Sequence, residues 1–152
     1  MLTSPALAKS APERSLGYLL VDAVRLMRKD FYDRSKGLKL TPALARLLYY
    51  VHRAPGSRQA DLAARLEVTP VTLSRMLDRL AQRGYVRRAA DSADRRAFRV
   101  FVDRAGEPLV GRMDQIVALT AARATRGLSE RDRAALLRQL QRVVDNLSGA
   151  GR

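Results

Sequence analysis

"RQADLAARLEVTPVTLSRMLDRLAQRG", residues 58–84, reads as two short helices separated by three or four residues. The second has the sharper signature. Thr69 offers an N-cap oxygen, Pro70 supplies the fixed φ of a first helical position, and Gly84 stands where a helix commonly ends in a left-handed residue. Stepping about 100° per residue places Leu73, Met76, Leu77 and Leu80 on one side of this helix and Val71, Thr72, Arg75 and Arg79 on the other. A polar face of Val, Thr and Arg near a helix N-terminus suits a DNA major groove. Arg75 can fork onto a guanine edge, small side chains can meet thymine methyls, and the helix start around Thr69 and Pro70 offers a positive dipole end to a phosphate. The same pattern also fits a solvated basic face on an ordinary amphipathic helix, so the flanking sequence has to decide.

Downstream, "YVRRAA" (85–90) and "AFRVFV" (97–102) read as strands joined by the loop "DSADRR". Phe98, Val100 and Val102 alternate with Arg99 and Phe101, as a half-buried strand requires. A helix, a tight turn, a second helix and then a β-hairpin compose a winged helix-turn-helix, with the hairpin as the wing. A wing lies beside the recognition helix along a duplex. Arg95 or Arg96 at its tip can therefore enter the neighbouring minor groove, where narrow A·T tracts concentrate negative potential. Asp94 would hold one of these arginines in a fixed pose, since a carboxylate facing phosphates would be repelled. The bland alternative for this loop is a charged turn that keeps the hairpin soluble.

Around this centre the chain is helical. Residues 1–12, rich in Ser, Pro and Ala, read as a mobile tail. Leu16, Leu20, Ala23, Val24, Met27 and Phe31 then recur at helical spacing, up to Gly37. "LTPALARLLYYV" (40–51) has another Thr-Pro start at Thr41 and Pro42, with Leu44, Leu47, Leu48 and Val51 as its apolar stripe. Beyond the hairpin, one helix carries Leu109, Met113, Ile116, Val117 and Ala121, for which Asp103 is a suitable cap. A second, capped by Ser129, carries Leu136, Leu137, Leu140, Val143, Val144 and Leu147. The expected fold is mainly α with a small β-hairpin wing, a winged helix-turn-helix plus a helical dimerisation arm. Its divisions are the tail 1–12, supporting and dimerising helices over 13–55, the DNA-binding lobe over 56–104, and dimerisation helices over 105–152.

Composition agrees with an anionic partner. The 152 residues carry 29 Lys and Arg against 15 Asp and Glu, a formal charge of +14. Most of these cations are arginines, whose planar forks suit phosphates and guanine edges. Coding bias also enriches Arg and Ala without any ligand, and the charge is spread along the chain, so placement carries the argument. There is no Cys, which excludes disulfides, thiol redox sensing and cysteine zinc sites, and the lone His52 cannot form a metal cluster by itself. No cofactor is expected. No phosphate-binding GxxxxGK[ST], GxSxG or His cluster points to an enzyme. The absence of a long apolar run or a leader-like start makes the cytoplasm the expected location and a membrane an unexpected partner. A nonspecific architectural DNA-binding protein and a winged helix serving as a protein-interaction module remain competing readings.

From about Leu16 to Leu147 the chain resembles the MarR/SlyA family of transcriptional regulators. The resemblance rests on "LTPALARLLYYV", "RQADLAARLEVTPVTLSRMLDRLAQRGYVRR" and "DSADRRAFRVFVDRAGEPL". It implies a homodimer with interlocked terminal helices, each protomer placing one recognition helix in a major groove of a palindromic operator on double-stranded DNA. It also implies a repressor responsive to a ligand. Val71, Thr72 and Arg75 match base-contacting positions of the family, and Arg95 and Arg96 match its wing. Family effectors, often small aromatic acids, bind where dimerisation helices meet the DNA-binding lobe. Phe31, Tyr32, Arg46, Tyr49 and Tyr50 concentrate aromatic walls and a cation at that junction, although such tyrosines also serve simply as packing. Two departures stand out: Glu67 occupies the turn where the family often has Gly, and Asp103 replaces a common Thr.

Overall fold

Helix starts are set locally, by side chains that accept the first unsatisfied N–H groups. In the computed structural model, which describes residues 15–92, 94 and 97–149, Ser15 accepts from Tyr18 N–H and opens α1 (Leu16–Ser35). Thr41 accepts from Leu44 N–H, and with Pro42 at the first position it opens α2 (Pro42–Arg53). Thr69 accepts from Thr72 N–H, again with a proline next, and opens α4 (Pro70–Gln82). Each such cap is worth about 1 kcal/mol. Between them lie a 3-10 turn (Lys36–Leu38), a two-residue strand β1 (Ser57–Arg58) and α3 (Gln59–Leu66). Strands β2 (Val86–Ala90) and β3 (Phe98–Val102) follow, then α5 (Glu107–Ala124) and α6 (Glu130–Ser148).

The chain divides into two units, Met1–Val117 and Ala118–Arg152. The first is built on one apolar core. Leu44, Leu47, Leu48 and Val51 of α2 join Leu62 and Leu66 of α3 and Leu73, Leu77 and Leu80 of α4. Val86 and Val100 from the strands and Val110, Met113 and Ile116 from α5 complete it. The expected stripe of α5 is therefore rotated: Val110 is buried, Leu109 and Val117 lie at its edges, and Ala121 is exposed.

The wing is a three-stranded antiparallel sheet in the order β1-β3-β2, where a two-stranded hairpin was expected. Gly56, at φ +77°, turns the chain after α2 so that its N–H donates to Val100 O and Ser57 pairs with Val100. On the other edge Val86 to Ala90 pair in register with Val102 to Phe98. Phe98 departs from the expected alternation: Val100 is fully buried, but Phe98, at the loop end of its strand, is 45% exposed. At the base of the sheet Asp103 N–H donates to Tyr85 O. A Cβ at Gly106 would collide with that same carbonyl, so only glycine lets α5 leave so close to the wing. Asp103 accepts Arg104 N–H within the turn that precedes α5, whereas the carbonyl of Gly106 receives the first N–H groups of the helix. Asp103 is thus a turn residue and not the helix cap.

The second unit holds the end of α5, a turn at Gly127, and α6, which Ser129 caps by accepting from Asp132 N–H. None of the α6 residues is buried; Leu137 is 62% exposed and Leu147 84%. In the first unit α1 is likewise uncovered over most of its length, with Leu16, Tyr18, Leu19, Val21 and Val24 all exposed.

Candidate nucleic-acid interface and an adjoining cavity

The turn between α3 and α4 is closed by the backbone. Val68 N–H donates to Ala63 O and Glu67 N–H to Ala64 O, the paired bonds of a Schellman ending. That ending needs a left-handed residue, and Glu67 supplies it at φ 56°, ψ 43°. Glu67 thus adopts the conformation a glycine would take without cost. One carbonyl left over at the α3 terminus, that of Leu66, accepts a 2.7 Å bond from Arg46 Nη2 on α2.

Beyond this turn, α4 has the two faces the sequence predicts. Leu73, Leu77 and Leu80 are buried, while Thr69, Pro70, Val71, Thr72, Arg75 and Arg79 are exposed. Val71, at 62% exposure, is an apolar side chain held out in water beside the Thr72 hydroxyl. Thr69 Oγ1 donates to Thr72 Oγ1 at 2.9 Å, which fixes both hydroxyls at the helix start. Neither Arg75 nor Arg79 is engaged in an ion pair within the described residues. Their forks are available to an external anion or a base edge.

The wing is tied to this helix on one flank. Arg88 of β2 pairs with Asp78 of α4 at 2.8 Å through Nη1, and its Nη2 donates to Ser74 O at 3.3 Å. At the other edge of the sheet Arg58 and Arg99 stand directly opposite one another across β1 and β3. Two like charges so placed repel. The fully buried carboxylate of Asp91 resolves the conflict, at 2.9 Å from Arg58 Nε and 3.2 Å from Arg99 Nε, while Arg99 Nη1 also donates to Gly56 O. Arg87 stacks its guanidinium 4.6 Å over the Phe101 ring. Asp94 is exposed, and its carbonyl accepts Ala97 N–H. Arg95 and Arg96 lie outside the described residues. Asp91 is the wing carboxylate that sequence reasoning passed over, because its role depends on the pairing register of β1 with β3.

A second feature lies within the first unit. Arg28 and Phe31 of α1, Arg46, Tyr49 and Tyr50 of α2, and Val117 of α5 line a cavity of about 190 Å³. Four of the five residues singled out from the sequence meet there. Tyr32 does not line it: its ring meets Phe31 edge-on and its hydroxyl donates to Pro42 O. Arg28 and Val117 join instead. Arg46 Nε is buried with no hydrogen-bond partner among the described residues. Burial, and secondarily the charge of Asp114, hold the Tyr49 phenol above its ordinary pKa, so it is a neutral hydroxyl at physiological pH. Outside the cavity His52 Nε2 lies 2.9 Å from Asp114 Oδ2, joining α2 to α5. Among the described residues no cluster of His and carboxylates could hold a metal, and no helix is long and apolar enough to cross a membrane.

Comparison with known proteins places this geometry. A model of the MarR family matches residues 38–97. The transcriptional repressor CouR, solved bound to a 23-mer DNA duplex, is 30% identical over 86% of this chain and 92% of its own, with a TM-score of 0.68. A MarR-family transcriptional regulator from Silicibacter pomeroyi is 27% identical over 86% and 88%, with a TM-score of 0.74. A variant of MarR from E. coli complexed with operator DNA is 26% identical over 84% and 92%, with a TM-score of 0.67.

Proposed function

The chain belongs to the MarR family of transcriptional regulators, and on that premise we propose that it is a repressor reading a palindromic operator as a homodimer through α4. The observation that carries this reading is the outer face of α4. Val71, Thr72, Arg75 and Arg79 are all exposed at a capped helix start, and the two arginines are uncommitted within the described residues. In this reading Arg75 forks onto a base edge, Val71 and Thr72 meet methyl groups or phosphates, and the N–H groups following Thr69 and Pro70 hold a backbone phosphate. Residues 56–104 form the DNA-binding lobe. Arg95 and Arg96 reach the minor groove, with Asp94 supporting one of them; the Asp-Arg-Arg motif of the loop supports this.

Residues 13–55 and 105–152 contain the dimerising helices. What supports that assignment is the uncovered apolar surface of α1 and α6, of which Leu19, Val21, Leu137 and Leu147 are examples. Apolar surface on that scale marks an interaction site.

The test is Arg75→Ala, measured on a duplex recovered by selection from genomic DNA and on random DNA at one salt concentration. Loss of a bidentate base contact should cost about 1–3 kcal/mol on the selected duplex and much less on random DNA. Equal losses on both would favour an architectural protein, and no binding to either would favour a protein-interaction module.

A ligand response is the second part of the reading, and the cavity favours it. Aromatic walls from Phe31, Tyr49 and Tyr50 with cations from Arg28 and Arg46 suit a small aromatic acid. Arg46 lines that cavity and also bonds the end of α3, so a carboxylate that engages it acts on the helix-turn-helix. Titration with hydroxybenzoates should lower DNA affinity, since only a ligand that prefers the non-binding dimer shifts the equilibrium. Binding without that effect would deny the cavity a regulatory role.

A further inference from the structure

Within the reading of α4 as the DNA-contacting helix, on which this inference rests, we propose that Asp78 and Arg88 are positioning residues. They fix the angle between α4 and the wing, and so determine sequence discrimination without contacting a base. The starting point is an anomaly of charge. Counting 100° per residue, Asp78 lies about 60° around α4 from Arg75, on the exposed side. Its side chain is 52% exposed. A carboxylate there is repelled by phosphates, and its presence on a DNA-facing helix needs a compensating use.

The use is geometric. Arg88 reaches from β2 with two donors to two residues spaced i, i+4 on the same flank of α4, the Asp78 carboxylate at 2.8 Å and the Ser74 carbonyl at 3.3 Å. One donor would leave the helix free to roll about the contact. A planar fork held at two points resists rotation of α4 about its axis, the motion that would swing Arg75 out of register with a base edge. Arg88 is itself fixed from behind, since its backbone is paired with Val100 at the centre of the sheet and Val100 is fully buried. Asp78 is more than half exposed, and an ion pair with a solvated partner contributes little to folding. The effect of the pair therefore falls on orientation.

The experiment uses the full-length protein with Asp78→Asn, Arg88→Ala, Arg88→Lys and the double change Asp78→Asn/Arg88→Ala. Affinity for the selected duplex and for random DNA is measured across salt concentrations, with thermal unfolding alongside. Electrostatics alone predicts that Asp78→Asn tightens binding to every duplex, because a negative charge has been removed. Positioning predicts the opposite sign on the selected duplex: a loss of about tenfold, typical of coupled neighbouring residues, with random DNA unchanged or tighter. Arg88→Ala should lose a similar factor while keeping the wild-type salt slope, and the double change should lose no more than either single one. Arg88→Lys keeps the charge but not the fork, so it should show the same loss of discrimination; it also carries the test if Arg88→Ala does not fold.

Tighter binding of Asp78→Asn to both duplexes would overturn the proposal. So would a salt slope reduced by about 0.9 in Arg88→Ala with equal losses on both duplexes, which would make Arg88 a phosphate contact. Arg75→Ala separates the two levels. If it abolishes discrimination while the Asp78 and Arg88 variants keep it, the positioning role alone fails; if Arg75→Ala has no effect, the reading of α4 fails with it.

Discussion

Replacing Glu67 by glycine should stabilise the protein, although it removes a side chain from the centre of the helix-turn-helix. Glu67 sits at φ 56°, ψ 43°, held there by the two backbone bonds that end α3. For an L-residue the left-handed conformation costs about 1–2 kcal/mol, through contact of Cβ with the following carbonyl. Glycine escapes that cost but has a freer unfolded chain, which gives back about 0.4–1 kcal/mol. A further few tenths come from removing a carboxylate from the negative end of the α3 dipole. The net expectation is a gain of about 0.5–1.5 kcal/mol, or a rise in Tm of a few degrees at this chain length.

Glu67→Ala is the control that isolates the backbone, because it removes the same charge and keeps the strain. Urea unfolding of the three proteins at one concentration, chosen because dimerisation couples to stability, should rank Gly above both Ala and wild type, with Gly and Ala about 1 kcal/mol apart. DNA affinity should respond differently. Both variants lose the same negative charge near the duplex, so both should bind random DNA somewhat more tightly and to the same degree. Equal unfolding midpoints for the Gly and Ala variants would refute the reasoning, since they would mean that no left-handed strain resides at position 67.

Gly106→Ala should destabilise by about 1–3 kcal/mol, as overpacking does, because its Cβ would overlap the Tyr85 carbonyl; urea midpoints check this. Asp91→Ala should cost about 3 kcal/mol, the lower end for breaking a buried ion pair, because Arg58 and Arg99 remain partly hydrated after the carboxylate is gone. An unchanged midpoint would remove Asp91 from its place as the keystone of the wing. The Tyr49 phenol, held above its ordinary pKa of 10.0 chiefly by burial, keeps its proton in the folded state after the unfolded chain has begun to release it. Its contribution to stability is therefore complete below pH 10.0 and declines as pH rises through the folded value. Unfolding of Tyr49→Phe between pH 9 and 11 should be less pH-dependent than that of wild type.

What was legible in the sequence was what depends on neighbours along the chain. The Thr-Pro starts of α2 and α4, the two faces of α4, and the strands of the hairpin are all local patterns, and each stands where it was expected. What escaped depends on distant pairing. Strand β1 is two residues long, too short for any alternation, and exists because Gly56 turns the chain onto β3. Asp91 looked like the first residue of a loop; its meaning appears only when Arg58 and Arg99 are brought face to face. Helical periodicity alone sets Arg28 off the apolar stripe of α1, but a long side chain can lay its stem along apolar surface while its charge stays near a rim. Tyr32 belongs to the same concentration of aromatic residues as Phe31, yet adjacent helical residues point about 100° apart, and only Phe31 lines the cavity.

The arginines show why charge alone was a poor guide to the interface. A formal charge of +14 suggests a surface made to attract phosphate, but many of the cations in the first unit are committed to the protein itself. Arg46 bonds the end of α3, Arg83 donates to the carbonyl of Lys39, Arg58 and Arg99 share Asp91, and Arg88 holds Asp78 and Ser74. Most of these contacts join one element of the chain to another, and those of Arg46, Arg83 and Arg58 span 20 residues or more. They brace the helix-turn-helix and the wing from α2, from the turn before α2 and from β1. A planar group with several fixed donors suits that work better than lysine, and it explains why arginine dominates the composition without requiring every arginine to meet DNA. The residues that remain on α4, Arg75 and Arg79, are few. Few contacts on a braced frame favour discrimination over raw affinity: phosphate attraction is shared by every duplex, while a rigidly aimed fork rewards only the base edge that fits it.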